Sequence, residues 1–295
     1  MTSPPPSPAS LMTWTHPLGR VFALDFSRPL VMGVLNVTPD SFSDGGKFFD
    51  PAAAVARARE LALEGADILD LGAETTRPGS SPTSEEEEWR RLSPALEALS
   101  RWNECPPISV DTYKSSVASK AIAMGAAIVN DVYAGRQDPR ILKVTAEAGL
   151  PIVLTHMLGE PRTMQDTPHY EDVVREVRDF LLQRAEAAME AGIPRERIIL
   201  DPGLGFGKTA AHNLALLNRM EEVRPQGFRF LMALSRKAFL GHVLDGAPPD
   251  QRDGATAVAS ALAVWKGAEM VRVHDVRRAV EALKVVTAIR REALA

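Results

Sequence analysis

The chain has 295 residues, of which 45% are hydrophobic and 24% are charged, and its formal net charge is −4 at pH 7. This composition is typical of a globular protein with a full core, and the lack of excess positive charge argues against a nucleic-acid partner. No apolar run approaches the roughly 18 residues that a membrane-spanning helix needs, so we expect no membrane partner. The single cysteine, Cys105, excludes an internal disulfide and favours a reducing, cytoplasmic location.

The chain begins with a proline-rich segment, which has four prolines in its first eight residues. It carries neither the basic stretch nor the apolar stretch that is typical of a signal peptide. We therefore interpret residues 1–13 as a disordered leader and residues 14–295 as one folded domain.

The first apolar strand of the domain ends in a polar loop. Residues 31–35 predict a buried strand, which turns polar at Asn36 and continues to a double glycine at residues 45–46. The hydrogen-bonding side chains between them are Thr38, Asp40, Ser41, Ser43 and Asp44. One interpretation is an ordinary turn into a helix that begins near Pro51. More hydrogen-bonding groups are present than a turn needs, so we favour a functional loop.

The rest of the chain repeats one unit, in which an amphipathic helix is followed by a glycine, a short apolar strand and a polar residue. The glycines that end the helices are Gly65, Gly125, Gly149, Gly192 and Gly267. Two further apolar strands lie at residues 107–110 and 230–234, which with the first strand gives eight. Eight strands that alternate with helices predict an α/β fold, a single-domain (β/α)8 TIM barrel, with a doubly wound sheet as the alternative. Residues 21–26, upstream of the first barrel strand, predict a short N-terminal β-hairpin at the bottom of the barrel.

Polar residues follow every predicted strand, at the end where such barrels have their active sites. They are Asn36, Glu74 with Thr75, Thr76 and Arg77, Asp111, Asn130, His156, Asp201, Ser235 with Lys237, and Arg272 with His274. A single one of these residues can be an ordinary helix cap. A polar group at the end of every strand instead predicts a binding site.

The last strand favours an anionic ligand. Arg272 and His274 are two residues apart in a strand, so they share a face, and loops after the last two strands often bind phosphate in these barrels. Arginine binds phosphoryl oxygens in a bidentate manner, and Asn36 can add a metal ligand or a hydrogen bond. The alternative for Arg272 is a salt bridge to a neighbouring helix.

A second polar group consists of Asp111, Asn130, Asp201 and Lys237. Inward-facing carboxylates and an amide suit a planar heterocycle that offers several N–H donors. A divalent metal is the alternative, but the spacing of the strongest additional ligands, His156 and His274, matches no metal motif.

Residues 201–209 imitate a phosphate-binding loop without satisfying its pattern, because Pro202 stands where the first glycine is required. We expect Gly203, Gly205 and Gly207 to let the backbone pass beneath a flat ring, with Phe206 beside it.

Together these motifs resemble the dihydropteroate synthase family, from about residue 31 to residue 288. The matching motifs are residues 32–46, 70–79, 109–112, 130–131, 156–157, 201–208, 235–237 and 272–275. The resemblance implies a transferase of folate biosynthesis that condenses hydroxymethyl-dihydropterin pyrophosphate with p-aminobenzoate, giving dihydropteroate and pyrophosphate. It also implies Mg²⁺ as cofactor and a homodimer that forms through outer helices.

The resemblance assigns residues to each substrate. The pterin would be bound by Asp111, Asn130, Met157, Asp201, Phe206 and Lys237. The pyrophosphate would be bound by Asn36, Arg272 and His274, and Asn36 would also bind the metal. The p-aminobenzoate and its loops would involve Thr38, Ser41, Phe42, Thr76, Arg77, Pro78 and Ser235. The expected catalytic residues are Asn36, Arg77, Lys237, Arg272 and His274.

The chemistry implied by the resemblance is an SN1-like displacement. Cleavage of the carbon–oxygen bond builds negative charge on the pyrophosphate, and an aromatic amine, which is neutral at pH 7, needs positioning more than a general base. The alternatives are a pterin-binding methyltransferase module and a non-catalytic pterin-binding paralogue. The former has no use for a pyrophosphate clamp and the latter is expected to lose loop residues, so the sequence favours the synthase.

Overall fold

The computed structural model describes residues 9–37, 51–74 and 83–293. A hairpin of two antiparallel strands, β1 (Leu11–Thr15) and β2 (Val21–Asp25), comes first. The eight strands that follow are β3 (Leu30–Asn36), β4 (Ile68–Gly72), β5 (Ile108–Asp111), β6 (Ile128–Asp131), β7 (Ile152–Thr155), β8 (Ile198–Asp201), β9 (Arg229–Ala233) and β10 (Met270–Val273).

These eight strands form a closed parallel barrel. Its order is β10, β3, β4, β5, β6, β7, β8, β9, so each strand except the last lies beside the next one in the chain. The predicted (β/α)8 barrel is therefore confirmed. The doubly wound alternative is wrong, because β10 pairs with β3 and closes the sheet. Every residue of β4, β6, β7, β8 and β9 is buried, as the near-continuous apolar sequences predict for a sheet covered on both faces.

Helices surround the barrel. The described helices are α1 (Pro51–Glu64), α2 (Glu85–Ser100), α3 (Ser115–Ala123), α4 (Arg140–Ala148), α5 (Val173–Glu190), α6 (Ala210–Asn218), α7 (Met220–Val223), α8 (Ala238–Val243), α9 (Asp253–Trp265) and α10 (Val276–Arg291). The five glycines of the sequence repeat all have positive φ, and at Gly149 a φ of 65° and ψ of 30° give the predicted left-handed cap. Within the described ranges, we find no helix that combines the length and the apolarity needed to cross a bilayer.

The hairpin lies at the N-terminal end of the barrel strands, as predicted. Its alternating buried side chains include Trp14 and Phe22, whose rings stack with their centroids 5.5 Å apart. His16 Nε2 lies 3.0 Å from the carbonyl oxygen of Ala126, just before β6. β1 begins at Leu11, so the described structure includes the last residues of the predicted leader, whose residues 1–8 lie outside the described ranges.

Candidate active site

The strand register brings the predicted polar residues to one end of the barrel. Asn36 lies opposite Gly72, Gly72 opposite Asp111, and Asp111 opposite Asn130. On the other side of the barrel Asp201 lies opposite Thr155. The C-terminal ends of β3, β5 and β6 therefore carry polar side chains at one level, and Gly72 of β4 lies between Asn36 and Asp111.

Arg272 connects the last strand to these polar side chains. Its Nε lies 2.6 Å from Asp70 Oδ2, and one of its terminal nitrogens lies 2.9 Å from Asp111 Oδ2. Because β3 separates β10 from β4, the arginine reaches across the mouth of the barrel. The sequence placed Arg272 with the anion-binding group and Asp111 with the heterocycle-binding group, whereas the structure joins both residues through one guanidinium.

Asp70 is a site residue that the sequence analysis did not select. It is fully buried within β4, and its Oδ2 also accepts a hydrogen bond from Asn130 Nδ2 at 3.1 Å. A search confined to strand ends overlooks a residue inside a strand. The available signal was an acidic residue within an otherwise apolar strand, since a buried carboxylate requires a partner.

Burial dominates the electrostatics of Asp111. It raises the pKa of Asp111 above its usual range, although the positive charge of Arg272 acts in the opposite direction, and the neighbouring Asp70 raises it further. One guanidinium shared by two carboxylates does not fully compensate for their removal from water. Burial acts to lower the pKa of Arg272, but the two carboxylates together outweigh it and raise that pKa above its usual value.

Lys237, Asp201 and Phe206 form the opposite side of the mouth. The Nζ of Lys237 lies 4.3 Å from the centroid of the Phe206 ring. Burial lowers the pKa of Lys237 to about 8, against the effect of Asp201. Asp201 Oδ1 accepts a hydrogen bond from the backbone N–H of Gly203 at 2.7 Å, and burial raises the pKa of the Asp201 carboxyl. The structure thus brings together a cation, a carboxylate and an aromatic face, as predicted.

A small apolar cluster adjoins this side. Its buried members are Val132, Tyr133, Met157, Met164 and Phe206, with Tyr113 packed against them. The predicted pterin residues Met157 and Phe206 therefore share one apolar wall, which is separate from the main hydrophobic core.

The glycines after β8 were expected to let the backbone pass beneath a flat ring, but the structure gives a different reason for them. A Cβ on Gly203, which has a φ of 64°, would lie 1.8 Å from the carbonyl oxygen of His156, and one on Gly207 would lie 2.4 Å from that of Leu158. These glycines are required by close contact with the protein's own backbone. Lys208 stabilises this segment, because its buried Nζ lies 2.8 to 3.0 Å from His156 Nδ1 and from the carbonyl oxygens of Gly203 and Phe206.

His274 and Ser235 lie together at the ends of β10 and β9. Ser235 Oγ accepts a hydrogen bond from the backbone N–H of His274 at 3.1 Å and lies 2.8 Å from its Nδ1. Burial, together with the positive charge of Arg272, lowers the pKa of His274 to about 3. The imidazole is therefore neutral near pH 7 and can offer a hydrogen bond to an anion but no charge.

Among the described residues, no group of three histidine, cysteine, aspartate or glutamate side chains is arranged to hold a metal ion. Asn36 Oδ1 and Asp111 Oδ2 both lie near Gly72, because a Cβ on Gly72 would lie 3.8 Å and 3.6 Å from them, and Asp111 Oδ2 is already bonded to Arg272. Mg²⁺ commonly takes one or two protein oxygens together with substrate phosphates and water. Asn36 Oδ1 would suit such a Mg²⁺ ion as one protein ligand beside the phosphate oxygens of a bound substrate.

Comparison with known proteins identifies the family. The family described as pterin binding enzyme matches residues 32–274. The dihydropteroate synthase of Escherichia coli (strain K12) is 44% identical over 266 residues, which cover 90% of this chain and 93% of that protein. The chain belongs to the dihydropteroate synthase family.

Two solved dihydropteroate synthase structures from Xanthomonas albilineans support this assignment. The structure with 4-aminobenzoic acid has 46% sequence identity and a TM-score of 0.85, and the match covers 91% of this chain and 95% of that one. The complex with 7,8-dihydropteroate has 43% identity and a TM-score of 0.82, with coverage of 91% and 96%. The resemblance found in the sequence is confirmed, and with it the assignment of the chain as a transferase of the dihydropteroate synthase type.

Six predicted site residues lie outside the described ranges. They are Thr38, Ser41, Phe42, Thr76, Arg77 and Pro78. Their roles in p-aminobenzoate binding, and that of Arg77 in catalysis, stay predictions from the resemblance to dihydropteroate synthases.

Replacing Arg272 with Met is expected to leave Asp70 and Asp111 buried without a counter-charge, at a cost of about 3 kcal/mol in the free energy of unfolding. The pKa of Asp111 should rise further. When the folded-state pKa of a carboxyl exceeds its unfolded value of about 3.9, the free energy of unfolding of the protein decreases as the pH rises towards the folded-state pKa. Urea unfolding of Arg272→Met should therefore show a free energy that still decreases above about pH 7, where the wild type levels off.

Arg278→Met is the matched control, because Arg278 forms an exposed ion pair with Asp275 at 3.2 Å. Its pH profile should parallel that of the wild type. A parallel profile for Arg272→Met as well would contradict the assigned charge compensation.

Proposed function

We propose that this protein condenses hydroxymethyl-dihydropterin pyrophosphate with p-aminobenzoate, giving dihydropteroate and pyrophosphate. The main support is a polar network in the mouth of the barrel, formed by Arg272, Asp70, Asp111 and Asn130. The chain that carries this network belongs to the dihydropteroate synthase family. Relatives of known structure bind 4-aminobenzoic acid and 7,8-dihydropteroate, which are one substrate and the product of this reaction.

The pterin would bind between Lys237 and the polar side chains of Asp111 and Asn130, at the ends of β5 and β6. Asn130 Oδ1 is buried and has no hydrogen-bond partner among the described residues, so it is an acceptor suited to an amino or ring N–H of the pterin. The carboxyl groups of Asp111 and Asp201 supply further acceptors, and Lys237 supplies a donor for the carbonyl or a ring nitrogen. Phe206 and Met157 provide the apolar surface for the flat ring.

The pyrophosphate would bind at the β10 side of the mouth. Arg272 uses two of its N–H groups to bond to Asp70 and Asp111, and its remaining N–H groups are available to an anion. His274 would donate a hydrogen bond as a neutral imidazole, with Ser235 fixing its ring. Asn36, with Asp111 nearby, would hold Mg²⁺ together with the pyrophosphate oxygens. The metal would supply positive charge to the leaving group.

In the proposed reaction, the bond between the pterin methylene carbon and the pyrophosphate oxygen breaks, and its electron pair leaves with the pyrophosphate. The resulting methylene cation is delocalised into the electron-rich pterin ring. The amino nitrogen of p-aminobenzoate then forms the new carbon–nitrogen bond and loses a proton. Arg272 and His274 would stabilise the developing negative charge, while the pterin residues keep the carbon in place.

Steady-state assays test this proposal. Purified protein with the pterin pyrophosphate and Mg²⁺ should release pyrophosphate in a manner that depends on p-aminobenzoate. Asp201→Asn should lower kcat/KM by at least about tenfold, because a buried charged acceptor for the pterin is lost. The exposed Asp166 provides the control Asp166→Asn, which should match the wild type. Absence of any product that depends on p-aminobenzoate would refute the proposed reaction.

We also propose that the protein forms a homodimer through an apolar face of α9 and α10. The two helices pack side by side. Their exposed apolar residues are Val258, Leu262 and Trp265 on α9 and Val285 and Ile289 on α10, each at least half exposed. Helical spacing places each set on one side of its helix, and an apolar patch of this kind is typical of a protein interface. We further propose a cytoplasmic location, with which the free, buried thiol of Cys105 is consistent.

Leu262→Glu should dissociate this dimer, because it places a charge in the centre of the apolar face. Sedimentation velocity should show a dimer for the wild type and a dissociation constant raised by about 100-fold or more for the variant. Leu18→Glu is the control, since Leu18 is 64% exposed in the turn between β1 and β2, below β5 and β6 and across the barrel from β10. A monomeric wild type at all accessible concentrations would contradict the proposal.

A further inference from the structure

Lys208 is a buried lysine whose hydrogen-bond partners in the described structure carry no formal charge. It follows the glycine-rich segment after β8 and is 3% exposed. Its Nζ lies 2.8 Å from His156 Nδ1, 2.9 Å from the carbonyl oxygen of Gly203 and 3.0 Å from that of Phe206. Lys208 is not among the substrate contacts proposed above, so the proposed reaction does not account for it.

Stability alone does not explain an ammonium group in this place. Removing a cation from water is costly unless a carboxylate accompanies it. Burial accordingly lowers the pKa of Lys208 well below its usual value, although the charge of Asp201 acts in the opposite direction. An apolar side chain of similar length would avoid this cost. What the ammonium group adds is a set of N–H donors that fix the carbonyl oxygens of Gly203 and Phe206.

Other side chains hold the same segment, residues 203–207, from further directions. Asn213, which is 2% exposed in α6, accepts a hydrogen bond at Oδ1 from the backbone N–H of Gly205 at 2.7 Å. The Tyr170 hydroxyl donates to the carbonyl oxygen of Gly207 at 2.9 Å, and the Gln165 amide donates to that of Gly205. Backbone groups that a helix or a strand would pair with other backbone groups are paired here with side chains. The shape of residues 203–207 therefore depends on those side chains.

Two of the proposed pterin contacts depend on this shape. The Phe206 ring belongs to the segment and forms part of the apolar wall. A Cβ on Gly205 would lie 3.2 Å from Cδ of Lys237 and 3.6 Å from its Nζ, so the lysine side chain packs on the bare backbone of Gly205. The Nζ of Lys237 also lies 4.3 Å from the centroid of the Phe206 ring. A displacement of residues 203–207 would therefore move the aromatic face and the cationic donor together.

We propose that Lys208 and Asn213 are positioning residues for the pterin, which fix residues 203–207 and thereby place the Phe206 ring and Lys237. This inference deepens the proposed function and rests on it, because it requires that the pterin binds against Phe206 and Lys237. Lys208 and Asn213 act without touching the substrate. Their effect on pterin affinity passes through the two side chains that they place.

The test is a double-mutant cycle that combines Lys208→Met with Phe206→Ala. Isothermal titration calorimetry without p-aminobenzoate measures the Kd for hydroxymethyl-dihydropterin pyrophosphate. Lys208→Met should raise this Kd by about tenfold in the wild-type background, since small displacements of positioning groups have effects of this order or larger. In the Phe206→Ala background the same change should raise the Kd by about threefold or less, because one of the two groups that Lys208 places is already absent. A purely structural role predicts equal factors in the two backgrounds.

Leu99→Ala is the matched control for lost stability. Leu99 is fully buried at the end of α2, ahead of β5, and so lies towards the end of the barrel opposite the mouth. Its replacement removes core packing at a distance from residues 203–207, and the Kd should stay within about twofold of the wild-type value. If Lys208→Met does not fold, Asn213→Ala takes its place in the cycle, because it removes the acceptor of the Gly205 N–H, and the same two factors are expected.

The outcomes separate this inference from the proposed function. A wild type that does not bind hydroxymethyl-dihydropterin pyrophosphate overturns both. A wild type that binds this substrate, with a Kd that Lys208→Met leaves unchanged or raises by the same factor in both backgrounds, overturns the inference alone.

Discussion

Two buried carboxylates at the mouth of the barrel share one counter-charge, and the organisation of the site depends on it. Asp70 lies inside β4 and Asp111 ends β5, while Arg272 comes from β10, the last strand of the sheet. The arginine reaches both because β10 pairs with β3 and closes the barrel. Removing carboxylates from water is costly unless a cation and hydrogen bonds compensate. Barrel closure therefore places Arg272 where it compensates the buried carboxylates of Asp70 and Asp111.

This shared charge joins two functions that appeared separate. Arg272 was assigned to the pyrophosphate and Asp111 to the pterin, and in the structure they are bonded. The guanidinium is thus already oriented before an anion arrives, which lowers the ordering cost of binding it. The same geometry keeps Asp111 beside Asn36, where the proposed Mg²⁺ and the leaving group would meet. A single network would hold the two halves of one substrate on either side of the bond that breaks.

Burial rather than pairing sets the charge state of the groups around this network. The pKa of Lys237 is lowered to about 8 and that of His274 to about 3, while the pKa values of Asp111 and Asp201 are raised. Each shift disfavours the charged form, as expected where water is largely excluded. A ligand that brings several hydrogen-bond donors and an anion would compensate these buried groups better than water does. This is the physical reason why the site suits a pterin pyrophosphate.

The sequence was sufficient for the architecture and for most of the site. Apolar strands alternating with helices predicted the eight-stranded barrel, and its strand ends predicted Asp111, Asn130, Asp201, Lys237 and Arg272, which the structure places around one mouth. It could not predict which side chains pair, because the partners of Arg272 come from β4 and β5 and depend on register and closure. Asp70 was missed because it lies inside a strand. At Gly203 the sequence showed the need for a small residue, but only the structure shows that the carbonyl of His156 is the reason.

In the proposed site Arg272 binds the pyrophosphate, while its partner Asp111 binds the pterin. This division is tested by isothermal titration calorimetry of the wild type and Arg272→Met with hydroxymethyl-dihydropterin pyrophosphate and with the same pterin lacking pyrophosphate. The variant is expected to lose at least about tenfold more affinity for the ligand with pyrophosphate than for the ligand without it, because a charge-assisted hydrogen bond is lost. Equal losses for the two ligands would contradict it.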